Sequence, residues 1–335
     1  MKTEKSAKQN TRFPLDSLDV LEQGLLGYDE LLLKRLLKDQ TTKENIKWNC
    51  DDYCSYGEGF RPDDGITVAS VTDVYATLIQ PRAAKEKCEQ EHRTREKAEV
   101  FTPSWLCNIQ NNMVDDAWFG RSDVFNRGTD GGWTVKRGRI EFPNVKGKTW
   151  QDYVDDVRLE LACGEAPYLV SRYDTVSGEI IPVTRRIGLL DRKLRIVGEH
   201  AEDQESWFTW AERAFQSTYG FDLQGDNVLL ARENLLYSFV DYFVYRFGCD
   251  PEKKLLRRIA HIISWNIWQM DGISMTAPFS KSDAPEQIEM DFMKRLNHEP
   301  EQIEIEDPAK RLPCRIMDWR ANKSIEFRSL LKGDR

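Results

Sequence analysis

The sequence predicts an α/β fold with a smaller, mostly helical region at its N-terminus. Three observations point to it. An amphipathic stretch from Trp150 to Leu159 leads into a tight turn of small residues, Ala162-Cys163-Gly164. About sixty residues later, Tyr219-Gly220-Phe221-Asp222 reads as a short buried strand ending in an acid. A strong helical pattern then runs from Asn227 to Phe247, with Leu229, Leu230, Leu235, Leu236, Phe239, Val240 and Phe243 at helix spacing. A small-residue turn after one strand, and an acid ending the next, is how the C-terminal edge of a parallel sheet lets backbone approach a nucleoside and holds its ribose. The same residues also read as an ordinary turn glycine and a capping or solvent-facing acid.

The other elements come in order along the chain. Leu18, Leu21, Leu25 and Leu26, then Leu31 to Leu33, Leu36 and Leu37, predict two amphipathic helices broken near Gly24 and Gly27. Asn45 to Trp48 reads as a short strand. Ala83 to Glu99, with Arg82 just before it, carries charge of both signs. It reads as a solvated helix face with i,i+4 pairs, or as a place where Arg93 and Arg95 reach phosphates. Thr102 is placed as an N-cap and Pro103 as the first residue of a helix reaching about Trp118. Residues 121–150 read as a β-rich insertion, with strands at Trp133-Thr134-Val135 and Ile140-Glu141-Phe142. Ile259 to Met270 is apolar, residues 280–311 read as a polar insertion, and Cys314 to Trp319 as a last strand. These readings divide the chain into a helical region, 1–94, and a larger domain, 95–335.

Composition narrows the function classes. The chain has 335 residues, 40% of them apolar and ten of them tryptophan, enough for a large core. No apolar run is long enough to span a membrane, and Met1 to Ser6 lacks the apolar stretch of a signal peptide. Seven scattered cysteines fit reduced thiols, hence a cytoplasmic protein. A net charge of −8 argues against coating of nucleic acid but leaves room for a local basic patch. The clearest such patch is Arg185, Arg186, Arg192, Lys193 and Arg195 against the single acid Asp191. The four histidines lie in no triad or metal pattern, and no phosphate-binding Gly-x-x-x-x-Gly-Lys loop occurs.

Ala98-Glu99-Val100-Phe101-Thr102-Pro103 resembles the Phe/Tyr-Thr-Pro element of N6-adenine DNA methyltransferases of the gamma arrangement, which include the modification subunits of type I systems. Glu160-Leu161-Ala162-Cys163-Gly164-Glu165-Ala166-Pro167-Tyr168-Leu169 is similar to their Asp-Pro-Ala-Cys-Gly-Ser-Gly-x-Phe-Leu segment. Asp222 with Ala231-Arg232-Glu233-Asn234-Leu235, and Gln269-Met270-Asp271-Gly272, resemble the next two elements. Through Glu99 to Trp105, Cys163 to Asp174, Gly188 to Arg195 and Trp265 to Gly272, the chain from about residue 15 onward also resembles bacterial proteins named restriction endonuclease subunit M. The resemblance implies a Rossmann-type S-adenosylmethionine-dependent methyltransferase core in a restriction or phage-defence setting. Phe101, Thr102, Cys163, Gly164, Asp222 and Asp271 would then form the donor pocket. Arg185, Arg186, Arg192 and Lys193 would meet DNA phosphates, and a restriction or specificity subunit is an expected partner.

The sequence departs from that pattern. Glu165 and Ala166 replace Ser and Gly, and so crowd the pocket or, for Glu165, bond the donor's ammonium. The catalytic tetrapeptide Asn/Asp-Pro-Pro-Tyr/Phe is absent. An extruded adenine needs an acceptor for its amine and a ring to stack on. The nearest substitutes are Asp318-Trp319 and the Thr276-Ala277-Pro278-Phe279 segment, and Asp318 and Trp319 are taken as the catalytic candidates. The rival expectation is a catalytically degenerate methyltransferase fold that recognises DNA or assembles with a partner.

Overall fold

A computed structural model describes residues 17–97, 99, 102–280 and 311–332. Phe101 and nearly all of the 280–311 segment lie outside these described residues. The N-terminal helices are α1 (Glu22–Tyr28) and α2 (Glu30–Leu37). Gly24 and Gly27 sit inside α1. The break falls instead at Asp29, whose carboxylate accepts the Leu31 amide and so caps α2. Leu32, Leu33, Leu36 and Leu37 on α2 are buried.

The chain continues through α3 (Lys87–Lys97) and α4 (Ser104–Phe119) to a small hairpin, β1 (Asn126–Thr129) and β2 (Gly132–Val135). Trp133 to Val135 form a strand as expected. Ile140 to Phe142 do not, because the Ile140 amide is held by the Glu199 carboxylate and Pro143 has no amide to offer a ladder. Next come α5 (Trp150–Asp155) and β3 (Arg158–Leu161), then α6 (Leu189–His200), α7 (Gln204–Gln216) and β4 (Thr218–Asp222). Helices α8 (Gly225–Phe247) and α9 (Lys253–Asn266) lead to β5 (Ile267–Gln269).

Strands β3, β4 and β5 form a parallel sheet in that order. Helices fill both crossovers, as parallel pairing requires. Helix and strand are thus mixed in the manner the α/β expectation described. Helix α8 is buried on all sides from Gly225 to Val244, so it is the centre of the core rather than a surface helix. One buried cluster runs continuously from Val20 through α8 to Ile267, so the N-terminal helices share a core with the sheet and its crossover helices. At Gly225 a Cβ would lie 2.0 Å from the Lys47 carbonyl oxygen, so only glycine lets the N-terminal segment touch the start of α8. Asn45 to Trp48 makes isolated bridges rather than a strand. Its place beside β5 is fixed by the Gln269 side chain, which bonds both the amide and the carbonyl of Lys47 at 2.8 Å.

The last strand also differs from expectation. Strand β6 (Arg315–Asp318) pairs antiparallel with β7 (Lys323–Glu326) in a separate hairpin. That hairpin packs through Ile316 on Phe221 and Trp268 in a second apolar cluster. Among the described residues no helix is long and apolar enough to cross a membrane.

Candidate functional site

A cavity of about 610 Å³ opens where β3 and β4 end. Its size falls in the range of about 300–1,000 Å³ usual for small-molecule clefts. Past Leu161 the backbone turns sharply, with Ala162 at φ +48° and Gly164 at φ +51°. The Cys163 amide continues the ladder onto Phe221, 2.8 Å away. The Gly164 amide donates to the Asp222 carboxylate at 2.9 Å, and the Gln224 amide donates to its other oxygen at 3.0 Å. Small turn and acid are therefore locked to each other across 58 residues of sequence. Thr102, Cys163, Gly164 and Asp222 all line this cavity. The structure thus brings together four of the six residues expected to form a donor pocket.

The other two stand apart. Phe101 is outside the described residues. Asp271 lies at the same edge of the sheet, one residue past Met270, whose amide bonds the Asp222 carbonyl. Its carboxylate, however, accepts the amides of Ile273 and Ser274 and closes its own turn, and it does not line the cavity.

Glu160, which sequence reasoning did not single out, does line it. Burial pushes its carboxyl well above the usual carboxylate range, against the pull of the Tyr168 and Leu169 amides. One oxygen accepts the Tyr168 amide at 3.4 Å, and the other has no hydrogen-bond partner among the described residues. The signal was present in Arg158-Leu159-Glu160-Leu161. On a strand, Leu159 and Leu161 point to one face and Glu160 to the other. Both leucines are exposed, which leaves the acid inside. Glu165 does not crowd the cavity. It turns into the core, where it accepts the Arg82 amide and the Tyr173 hydroxyl, each at 2.6 Å.

The catalytic candidates are corrected. The Trp319 indole donates to Asn266, whose amide in turn donates to the carbonyls of Phe215 and Thr218. Those groups mark the N-terminal end of β4, roughly 13 Å of strand away from Asp222. Asp318 caps the surface turn of its hairpin through the amides of Arg320 and Ala321, both at 3.0 Å. Both residues sit at the end of the sheet opposite the cavity. Thr276 and Phe279 do not line it either.

The predicted basic patch is corrected as well. Arg186 pairs with Asp241 in the interior. Arg192 is 1% exposed and bonds Asp115, Asn108 and Asn112. Lys193 is fully buried, donating to Ser217 and the Asp156 carbonyl, and burial pulls its pKa far below the usual lysine range. These three cations cannot meet a phosphate without unfolding helix packing. Only Arg185 of the four is exposed, with its guanidinium 5.5 Å over the Trp133 ring. Arg93, also read as a phosphate contact, is 1% exposed and forks onto Glu99 at 2.9 Å while reaching Asp52 and Asp226.

No family model, curated protein or solved structure matches the chain.

Proposed function

We propose that this chain is an S-adenosylmethionine-dependent, methyltransferase-like protein acting on DNA, with adenine N6 as the accepting atom. The three parallel strands with helical crossovers support a Rossmann-type core, and the cavity lies at the strand ends where such sheets bind ligands. The observation that carries the reading is the Glu160 carboxyl, buried at the cavity wall with one oxygen unpartnered among the described residues. A buried carboxyl in that state is stabilised by a cation. The donor's methionine end carries an ammonium. Asp222 already accepts two backbone amides. Of its roughly four acceptor sites, some remain for a ribose hydroxyl. The exposed Leu223 at the rim offers an apolar surface for the adenine ring. The residues present fit the donor, which supplies the methyl group when bound. This chain's own part is to orient it.

The test is calorimetric titration with S-adenosylmethionine and with its demethylated product. Wild-type protein binds both. Glu160→Gln keeps the shape and removes the charge, and weakens binding by about 1.5–3 kcal/mol, the usual range for hydrogen bonds to charged groups. Asp222→Ala weakens it by about 1–3 kcal/mol. Thermal melting of each variant separates lost binding from lost folding. No heat and no melting shift with wild-type protein at millimolar donor overturns the reading.

A second reading is favoured by the position of Asp318 and Trp319. With those residues at the far end of the sheet, a catalytically degenerate fold that recognises DNA or assembles with a restriction or specificity subunit also accounts for the site. Donor binding without transfer of labelled methyl to DNA selects this second reading.

A further inference from the structure

A second cavity, about 1010 Å³ in volume, is larger than the one at the strand ends. It lies between the β1–β2 hairpin, the later turns of α6 and the end of α8. Five cations line it against one acid, Glu199. That acid is engaged: it pairs with Arg195 at 2.7 Å and accepts the Ile140 amide at 2.8 Å. The other four cations, Lys136, Arg137, Arg185 and Arg246, are exposed, and among the described residues none has a carboxylate at ion-pair distance. In a chain of net charge −8 this is a local excess of positive charge around a concavity. Four aromatic rings line it, of which Trp207 and Tyr242 are buried and two are accessible. Tyr245 is 63% exposed, and Trp133 is half-buried, its indole fixed by a bond to the Arg185 carbonyl at 2.8 Å.

We infer that this cavity binds a single strand of nucleic acid. Cations track the phosphates, and rings such as Tyr245 take the π-face of a base regardless of its identity. A duplex is a rod and rides on a surface; a splayed strand can enter a recess. Unpaired cations without rings would suit any polyanion, and rings without cations would suit an apolar ligand. Their coincidence is what selects a nucleic acid. The four cations come from residues 136, 137, 185 and 246. The patch is therefore assembled by folding, and of its four exposed cations only Arg185 comes from the run at 185–195. Helix α6 links the two cavities: Leu189 lines the first, and Leu194, Arg195, Gly198 and Glu199 line the second. At about 1.5 Å per residue, they are roughly 8–15 Å apart along that helix. The inference takes from the proposed function only that the partner is nucleic acid, and donor binding can fail without touching it.

The experiment measures binding of a fluorescent twenty-nucleotide oligo-dT to full-length protein without methyl donor, at several salt concentrations. Duplex DNA of equal length and inorganic polyphosphate serve as competitors. Wild-type protein is expected to bind with a log–log salt slope of about −2 to −3, from four contacts at about 0.7 each. Lys136→Ala, Arg137→Ala and Arg246→Ala combined should lower the slope by about 2 and cut affinity at least about tenfold at low salt. Tyr245→Ala should weaken oligo-dT and leave the slope unchanged. No binding by wild-type protein overturns the inference, as does an unchanged slope in the triple variant. Equal competition by polyphosphate, with no effect of Tyr245→Ala, also overturns it, because the cavity then binds charge alone. All four substituted positions are exposed, and circular dichroism verifies that the variants fold.

Discussion

The two cavities bordering α6 are opposites in charge. The one at the strand ends is lined by Glu99, Glu160 and Asp222, with Lys97 the only cation among the described residues of its wall. Two of its acids, Glu160 and Asp222, are held above the ordinary carboxylate range by burial. The one beside the hairpin is lined by five cations, four of them exposed and without a carboxylate partner among the described residues. The first can lower its energy by admitting a small cationic ligand; the second by admitting a polyanion. The difference teaches that a charge is informative only once its partner is known. Arg185 and Arg192 are seven residues apart in one basic run. Yet one faces solvent, and the other is sealed against Asp115.

The sharpest way to break this comparison is Arg192→Ala. The substitution leaves the Asp115 carboxylate buried beside Asn108 and Asn112 without its cation. Removing one partner of a buried pair costs about 3–5 kcal/mol. The denaturant midpoint should fall by a corresponding amount with the slope of unfolding unchanged. The salt dependence of oligo-dT binding by the folded fraction should not move. A stable variant with weakened nucleic-acid binding would put Arg192 back among the phosphate contacts.

The next effect is a pH dependence. Glu165 is fully enclosed, and burial raises its pKa from 4.5 to about 7, against the bonds from Tyr173 and the Arg82 amide. A carboxyl raised on folding contributes stability that is complete below its unfolded value near 4.5 and is lost as pH rises through the folded value near 7. The swing is on the order of 3 kcal/mol. Glu165→Gln cannot ionise, so unfolding free energy measured between pH 4.5 and 8 should decline less steeply than in wild-type protein. An identical decline would mean that other buried acids, such as Glu22 and Glu160, carry the whole dependence.

What could be read in the sequence was what local pattern encodes. The helix from Asn227 and the strand ending at Asp222 come from spacing, and so does the Cys163-Gly164 turn. Thr102, Cys163, Gly164 and Asp222 then meet because parallel strands deliver their ends to one edge. What could not be read was pairing over distance. Lys193 and Arg192 look solvated because their partners, Ser217 and Asp115, lie far away in sequence. Cys314 to Trp319 looks like a sheet strand, because nothing local distinguishes joining β5 from folding back on Lys323–Glu326. The hint was the Ala321-Asn322 turn, where Asn322 takes φ +49°, a conformation asparagine tolerates. Glu160 was missed for a different reason. The acid on the inner face of a strand looks like an error of pattern until the cavity behind it is seen.

The smallest stability effect belongs to Arg185→Ala, and it separates the two kinds of cation most cleanly. Arg185 is exposed, and its guanidinium stacks 5.5 Å over Trp133. An exposed cation–π pair is worth about 0.5–1 kcal/mol. The Trp133 indole bonds the backbone carbonyl of residue 185, so that bond survives the substitution. The denaturant midpoint should therefore barely move. The salt slope of oligo-dT binding should still drop by about 0.7, one single-strand phosphate contact. Arg192→Ala predicts the reverse, a large loss of stability with the slope intact. If Arg185→Ala instead destabilises strongly and leaves the slope alone, its role is to hold the hairpin on α6, and the basic cavity loses one of its four contacts. If both variants shift stability and slope together, burial does not sort these arginines, and the contrast between the two cavities is not the one drawn from their linings.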